Sequence, residues 1–141
     1  MTPHLVAGPV FSHYGLKNWT MLFLPEEVVC VPHRFWPILQ MMLFTSLLMP
    51  GRAYAVARKE LARAREEWST VDSARLPANA WRIPLSSIQR LELRRVLLTA
   101  SEIRIQQAGQ GEHIFGIFDP TQLGQYAEAL RRTYPRIFFE Q

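Results

Sequence analysis

Residues 81–134 read WRIPLSSIQRLELRRVLLTASEIRIQQAGQGEHIFGIFDPTQLGQYAEALRRTY, and this stretch decides the fold. Ile83 and Leu85, Leu91 and Leu93, then Ile103 and Ile105 alternate with polar or small neighbours, the period of half-buried strands. His113 to Phe118 adds a fourth, more continuously apolar run. Asp119-Pro120-Thr121-Gln122 then opens a helix, with a capping side chain and proline at its start. The apolar stripe of that helix is Leu123, Tyr126, Ala127, Leu130 and Tyr134. Gly109-Gln110-Gly111 falls between two of the strands and predicts a hairpin turn. Ser86-Ser87 falls where the alternation changes register, which predicts a bulge or bend.

Working toward the N-terminus, Ser69 to Ala80 is a polar loop. It follows the most regular helical pattern in the chain: Tyr54, Ala57, Leu61, Ala64 and Trp68 form one apolar seam. Arg58, Lys59, Glu60, Arg63, Arg65, Glu66 and Glu67 are assigned to the other, solvated faces. Phe35 to Met49 is apolar except for Gln40, Thr45 and Ser46, and Pro50-Gly51 stops it. It falls short of the ~20 residues that a membrane-crossing helix needs. Three readings of it compete: a helix buried against the sheet or a partner subunit, a membrane-inserting or re-entrant segment, and a true span. A helical hairpin, Phe35–Met49 folded on Arg52–Trp68, is the simplest arrangement. Before it, Trp19 to Leu24 and Glu27 to Pro32 predict a hairpin with a tight connection at Pro25-Glu26-Glu27, and Leu5 to Tyr14 predicts a first strand that turns at Gly15.

The chain of 141 residues fits one domain with a single core, and no repeat or composition shift marks a second. The formal charge is +4 with 14 arginines, but 12 acidic residues are spread among them. That balance lacks the clustered basic face of a nucleic-acid binder, so no nucleic acid is expected as a partner. Cys30 is the only cysteine, which excludes an internal disulfide. Its setting in Val28-Val29-Cys30-Val31 reads as a small buried hydrophobe. No signal-peptide pattern is visible at Met1, so a cytoplasmic location is expected, with the inner face of the membrane as an extension of it.

Catalytic patterns are sparse. His4, His13, His33 and His113 lack metal-ligand spacing, and the glycines around Gln110 lack the lysine and helix of a phosphate loop. Ser86-Ser87 lacks the flanking glycines of a nucleophile elbow. Neither an enzyme nor a cofactor is expected. Arg90, Arg94 and Arg104 are the candidate anion contacts: period-two geometry puts Arg90, Glu92 and Arg94 on one sheet face, with Arg104 on the next strand. They would bind a phosphate, a headgroup or an acidic peptide, or else form cross-strand ion pairs with Glu92 and its neighbours.

The order strand, hairpin, helical segment, four strands, helix resembles a bacterial pleckstrin-homology-like (PH-like) domain. The residues that carry the resemblance are Gly15-Leu16-Lys17-Asn18-Trp19-Thr20 leading into the Leu22–Pro32 hairpin, Ile83-Pro84-Leu85-Ser86-Ser87-Ile88, and the Asp119–Tyr134 helix. The resemblance implies an α+β fold over residues 1–141. It would be a small antiparallel β-barrel or sandwich capped by the C-terminal helix, with a helical-hairpin insert at about 35–68. It further implies a non-catalytic binding or adaptor module. A phosphoinositide signature cannot be carried over, because the connection between Tyr14 and Trp19 holds only Lys17 and the next turn holds Glu26-Glu27. The insert departs from the minimal fold, and Phe35, Trp36, Leu39, Met42, Leu43 and Leu47 are its candidate membrane or oligomer contacts. A protein partner, self-association or peripheral membrane contact is therefore expected. The alternative is a small enzyme or anion-binding protein that uses the arginine-lined sheet face.

Overall fold

Trp19 pairs with Pro32 and Phe23 with Val28, so the turn at Pro25-Glu26 closes an antiparallel hairpin. The computed structural model describes residues 1–12, 17–95 and 101–141, and all of their side chains except that of Phe35. The expected turn at Gly15, with His13 and Tyr14 before it, lies outside the described residues.

Strands β1 (Leu5–Ser12), β2 (Lys17–Phe23) and β3 (Glu27–Pro32) come first, and helices α1 (Phe35–Ser46) and α2 (Pro50–Glu67) follow. Then come β4 (Trp81–Pro84), β5 (Ile88–Arg94), β6 (Glu102–Gln107), β7 (Gly111–Ile117), α3 (Leu123–Thr133) and β8 (Phe138–Glu140). The four strands and the helix expected between Trp81 and Tyr134 are present. Where a bulge or bend was expected, Leu85-Ser86-Ser87 forms a single 3-10 turn between β4 and β5, and the pairing of β5 with β6 shifts register just after it, between Ile88 and Arg90. The short turn joining β6 to β7 places Gly109 and Gly111 at positive φ (76° and 84°), which glycine adopts without steric cost.

The strands form one sheet in the order β4-β3-β2-β1-β7-β6-β5-β8. All neighbours are antiparallel except β5 and β8, which run parallel with Leu91 opposite Phe138. The sheet is open, and β4 and β8 are its edges, so the barrel expected from the resemblance does not close. It does curl. Trp81 on the β4 edge lies 4.7 Å from the ring of His113 and 5.6 Å from that of Phe115, both on β7. Three strands separate β4 from β7 in the sheet, so this contact requires the two halves to face one another.

One continuous apolar cluster fills the space between them, including Val10, Met21, Leu22, Val29, Ile83, Leu91, Ile103 and Phe115. Leu61 and Ala64 of α2 and Leu123, Tyr126, Ala127 and Leu130 of α3 join it. Residues 19–23 and 28–31 are buried at every position, which explains why these strands read as unbroken apolar runs. By contrast β5 and β6 keep one wet face and alternate.

The capping of α3 agrees with the sequence pattern in residues and differs slightly in geometry. Asp119 Oδ1 accepts from the Thr121 N–H at 3.0 Å, but Pro120–Gln122 is a 3-10 turn that leads into the α-helix. Two tyrosines tie this helix to the sheet. The Gly8 N–H donates to Tyr126 Oη at 3.3 Å, and Tyr134 Oη donates to the Leu24 carbonyl at 3.2 Å. On β7, Gly116 provides a flat seat for the ring of Phe11: a Cβ there would lie 2.2 Å from it.

Candidate functional site

Helix α1 is apolar almost all round, a composition that normally belongs to a fully buried helix. Its inner stripe is Ile38 and Met41, which pack with Ala53 and Ala57 of α2; Phe44, Val56 and Phe118 border this second cluster. Alanines on the α2 side allow the two helices to approach closely. The hairpin thus has its own small core, and of the three competing readings of Phe35–Met49, burial against the sheet accounts for none of α1's outer face. Among the described residues, no helix is long and apolar enough to cross a membrane.

Trp36, Met42, Leu43 and Leu47 lie on that outer face and are exposed, Trp36 and Leu47 to about two-thirds of their surface. Leu39 is half-buried. The side chain of Phe35, the sixth candidate contact, lies outside the described residues. Beyond α1 the stripe continues through Leu48, 88% exposed, and Met49.

The turn after α1 is a Schellman motif. The Met49 N–H donates to the Phe44 carbonyl at 2.7 Å and the Leu48 N–H to the Thr45 carbonyl at 3.1 Å. The left-handed position of this motif usually holds glycine, but here Leu48 occupies it at φ 57°. A β-carbon in that region costs about 1–2 kcal/mol, and the side chain it carries points into solvent. Pro50 then starts α2, where its missing N–H leaves nothing unsatisfied.

Charge along α1 and the first half of α2 has one sign. From Val28 to Lys59 the chain contains no aspartate or glutamate, while Arg34, Arg52, Arg58 and Lys59 lie within or at the end of that stretch. Arg52 sits over the Phe44 ring at 6.0 Å from its centroid.

The first carboxylate after this stretch, Glu60, is buried, although the sequence reading placed it on a solvated face. It lies between Ala57 and Ala64 at helical spacing, on the seam. Arg34 Nη2 donates to Glu60 Oε1 and Oε2, each at 3.0 Å. Arg63 approaches Oε1 at 3.8 Å, and His33 Nε2 lies 3.4 Å from Oε2. His33 Nδ1 hydrogen-bonds Thr20 Oγ1 at 2.8 Å, which links the cluster to β2. Burial lowers the His33 pKa below its ordinary value; Glu60 opposes this and Arg34 adds to it. A cleft of about 310 Å³ opens between α1 and α2 beside this cluster, lined by Arg34, Trp36, Pro37, Gln40, Val56, Lys59, Glu60 and Arg63.

The arginine face looks different. Arg90, Glu92 and Arg94 do share a face with Arg104, opposite buried Leu91 and Leu93. Arg104 Nε donates to Glu102 at 2.8 Å and Nη1 to Glu112 at 2.9 Å. Arg90 Nε meets Glu92 at 3.3 Å, and its guanidinium stacks 4.0 Å from the Phe139 centroid. Arg90 and Arg104 are neutralised in place, giving a ladder of alternating sign. At the end of α3, Arg131 reaches Glu140 of β8, which also accepts from Arg95 at 3.1 Å.

Cys30 is buried in β3, and burial pushes its thiol pKa up, which leaves an unreactive thiol. Among the described residues no three histidine, cysteine, aspartate or glutamate side chains gather as a metal site. Compared with known proteins, the chain matches no family model and no curated protein.

Sequence reasoning missed the cluster of His33, Arg34, Glu60 and Arg63 and the cleft beside it. Two signals pointed there: the stretch without acidic residues, and the spacing of positions 53, 57, 60 and 64, which puts a glutamate on an alanine seam.

Proposed function

We propose that this chain is a non-catalytic, PH-like binding module that docks on an anionic membrane surface through the outer face of α1 and the turn after it. The observation that carries this reading is the exposed apolar stripe from Trp36 to Met49. Six of the nine large hydrophobic side chains exposed among the described residues fall in it. Isolated exposed hydrophobics are ordinary, but a contiguous stripe marks a contact surface.

The charge pattern favours lipid as the occupant. Each large aliphatic or aromatic side chain gains about 1.5–3 kcal/mol when fully withdrawn from water. Each arginine or lysine held near an anionic leaflet adds about 1 kcal/mol. Four such cations and no carboxylates lie between residues 28 and 59. A 12-residue helix is about 18 Å long, too short for a hydrocarbon core of about 30 Å, so α1 would lie in the interface and not across it. The PH-like part of the reading is supported by the two antiparallel runs, β1 to β4 and β5 to β7, with α3 packed across them. Strand β8 is an addition to the pattern the resemblance implies.

Co-sedimentation with vesicles of phosphatidylcholine and phosphatidylglycerol tests the proposal. The wild-type protein should pellet, and the Leu43→Glu, Leu47→Glu double variant should stay in the supernatant. A wild-type protein that never pellets sinks the membrane reading. If light scattering then shows a dimer that the double variant dissolves, the stripe belongs to a second copy of the chain.

A further inference from the structure

We infer that the cleft between α1 and α2 receives the phosphomonoester headgroup of an anionic lipid. The inference rests on the membrane reading above and adds a chemical preference to it.

The cleft carries three cations, Arg34, Lys59 and Arg63, against one carboxylate, Glu60, a net charge of +2. That carboxylate is already committed. Its side chain is only 8% exposed, and both of its oxygens accept from Arg34 Nη2, so an incoming anion does not meet a free carboxylate. Both of those bonds come from one nitrogen, which leaves the Nη1 and Nε donors of Arg34 outside the pair. Among the described residues Lys59 has no carboxylate within ion-pair distance, and the one carboxylate within that distance of Arg63 is Glu60 at 3.8 Å. Arg34, Lys59 and Arg63, two guanidinium groups and an ammonium, thus line one concavity of about 310 Å³.

The balance of +2 matches a phosphomonoester, which carries about −1.5 to −2 near neutral pH, better than the single negative charge of a phosphodiester. The location decides between lipid and soluble phosphate. Trp36 lines the cleft and also belongs to the exposed stripe of α1. A phosphate held by Arg34 and Lys59 therefore sits beside the surface that would enter the acyl region, as the headgroup of a docked lipid must.

The test compares phosphatidylcholine vesicles that contain either phosphatidic acid or phosphatidylglycerol, adjusted to equal surface charge. Wild-type protein should half-saturate on phosphatidic acid at a lipid concentration lower by about tenfold, the scale of one charge-assisted contact. Lys59→Gln with Arg63→Gln changes only exposed side chains. It should erase that preference while still pelleting on phosphatidylglycerol, and an unchanged melting temperature would confirm the fold. Equal binding of wild type to the two charge-matched vesicles overturns the headgroup assignment and leaves the docking proposal standing. Failure to bind either vesicle overturns both. Glycerol 3-phosphate binding to free protein as tightly as the phosphatidic acid vesicle would make the cleft a soluble-phosphate site and overturn the lipid assignment.

Discussion

Arg34 and Glu60 stand 26 positions apart in sequence, yet one guanidinium nitrogen lies 3.0 Å from each carboxylate oxygen. The contact joins the residue that precedes α1 to the buried face of α2, and so fixes how the helical hairpin leaves the sheet. A buried carboxylate without a partner is costly, so this pair specifies the junction even where its net contribution is small.

Replacing Arg34 by Gln should lower the unfolding free energy by about 1–3 kcal/mol, because Glu60 stays buried while the arginine was half exposed. Arg34→Gln combined with Glu60→Gln should cost less than the sum of the two single changes. Urea denaturation of all four proteins measures the coupling; strict additivity would mean that the pair does not hold the junction.

Leu48 offers a sharper contrast, since stability and binding should move in opposite directions. Leu48→Gly relieves the left-handed backbone and removes a side chain that is 88% exposed. Stability should rise by about 0.5–1 kcal/mol, while vesicle binding should weaken severalfold. A variant that is more stable and binds equally well would show that the turn does not enter the lipid.

Acid should act through His33. Burial lowers its pKa from the ordinary 6.5, so the unfolded chain binds this proton first as pH falls. The His33 contribution is complete above 6.5 and is lost as pH drops from there toward the folded-state pKa. Wild type should therefore lose stability between about pH 7 and 5 faster than His33→Gln does. Urea midpoints for the two proteins across that window read the difference, and parallel curves would count against it.

Alkali should act through the two tyrosines that hold α3. Burial pushes the pKa of both Tyr126 and Tyr134 up to about 12 from 10.0. Both phenols stay protonated longer in the folded protein, so their contribution is intact below pH 10 and falls away as pH rises toward 12. Tyr126→Phe should reduce this alkaline loss. At neutral pH it should cost about 1–3 kcal/mol, because the Gly8 N–H loses its acceptor. Thermal melts at pH 7 and near pH 11 check both halves of the expectation.

The strands between Trp81 and Ile117 were legible because one face of β5 and β6 is wet: Leu91, Leu93, Ile103 and Ile105 alternate with exposed or half-buried polar residues. The Trp19–Pro32 hairpin was legible for the opposite reason, as two runs buried on both faces around a proline turn. Strand β8 was not, since Phe138-Phe139-Glu140 has three residues and no period, and it becomes a strand only because α3 returns it beside β5. Glu60 was misplaced on a solvated face because local pattern treats a charge as exposed, whereas two arginines and a histidine from sequence-distant and neighbouring positions make its burial tolerable.

By itself, then, the sequence determined the α+β composition, the positions of the principal elements, the capping of α3 and the apolar character of Phe35–Met49. These are local properties, written in spacing, turn residues and caps. Only the tertiary structure decided that the sheet curls without closing and that α1 buries one stripe against Ala53 and Ala57 while leaving Trp36, Leu43 and Leu47 in water. It also decided that Arg34, Lys59 and Arg63 line one cleft beside a buried carboxylate. Burial and charge pairing depend on which distant segments meet, and no window of sequence contains that information.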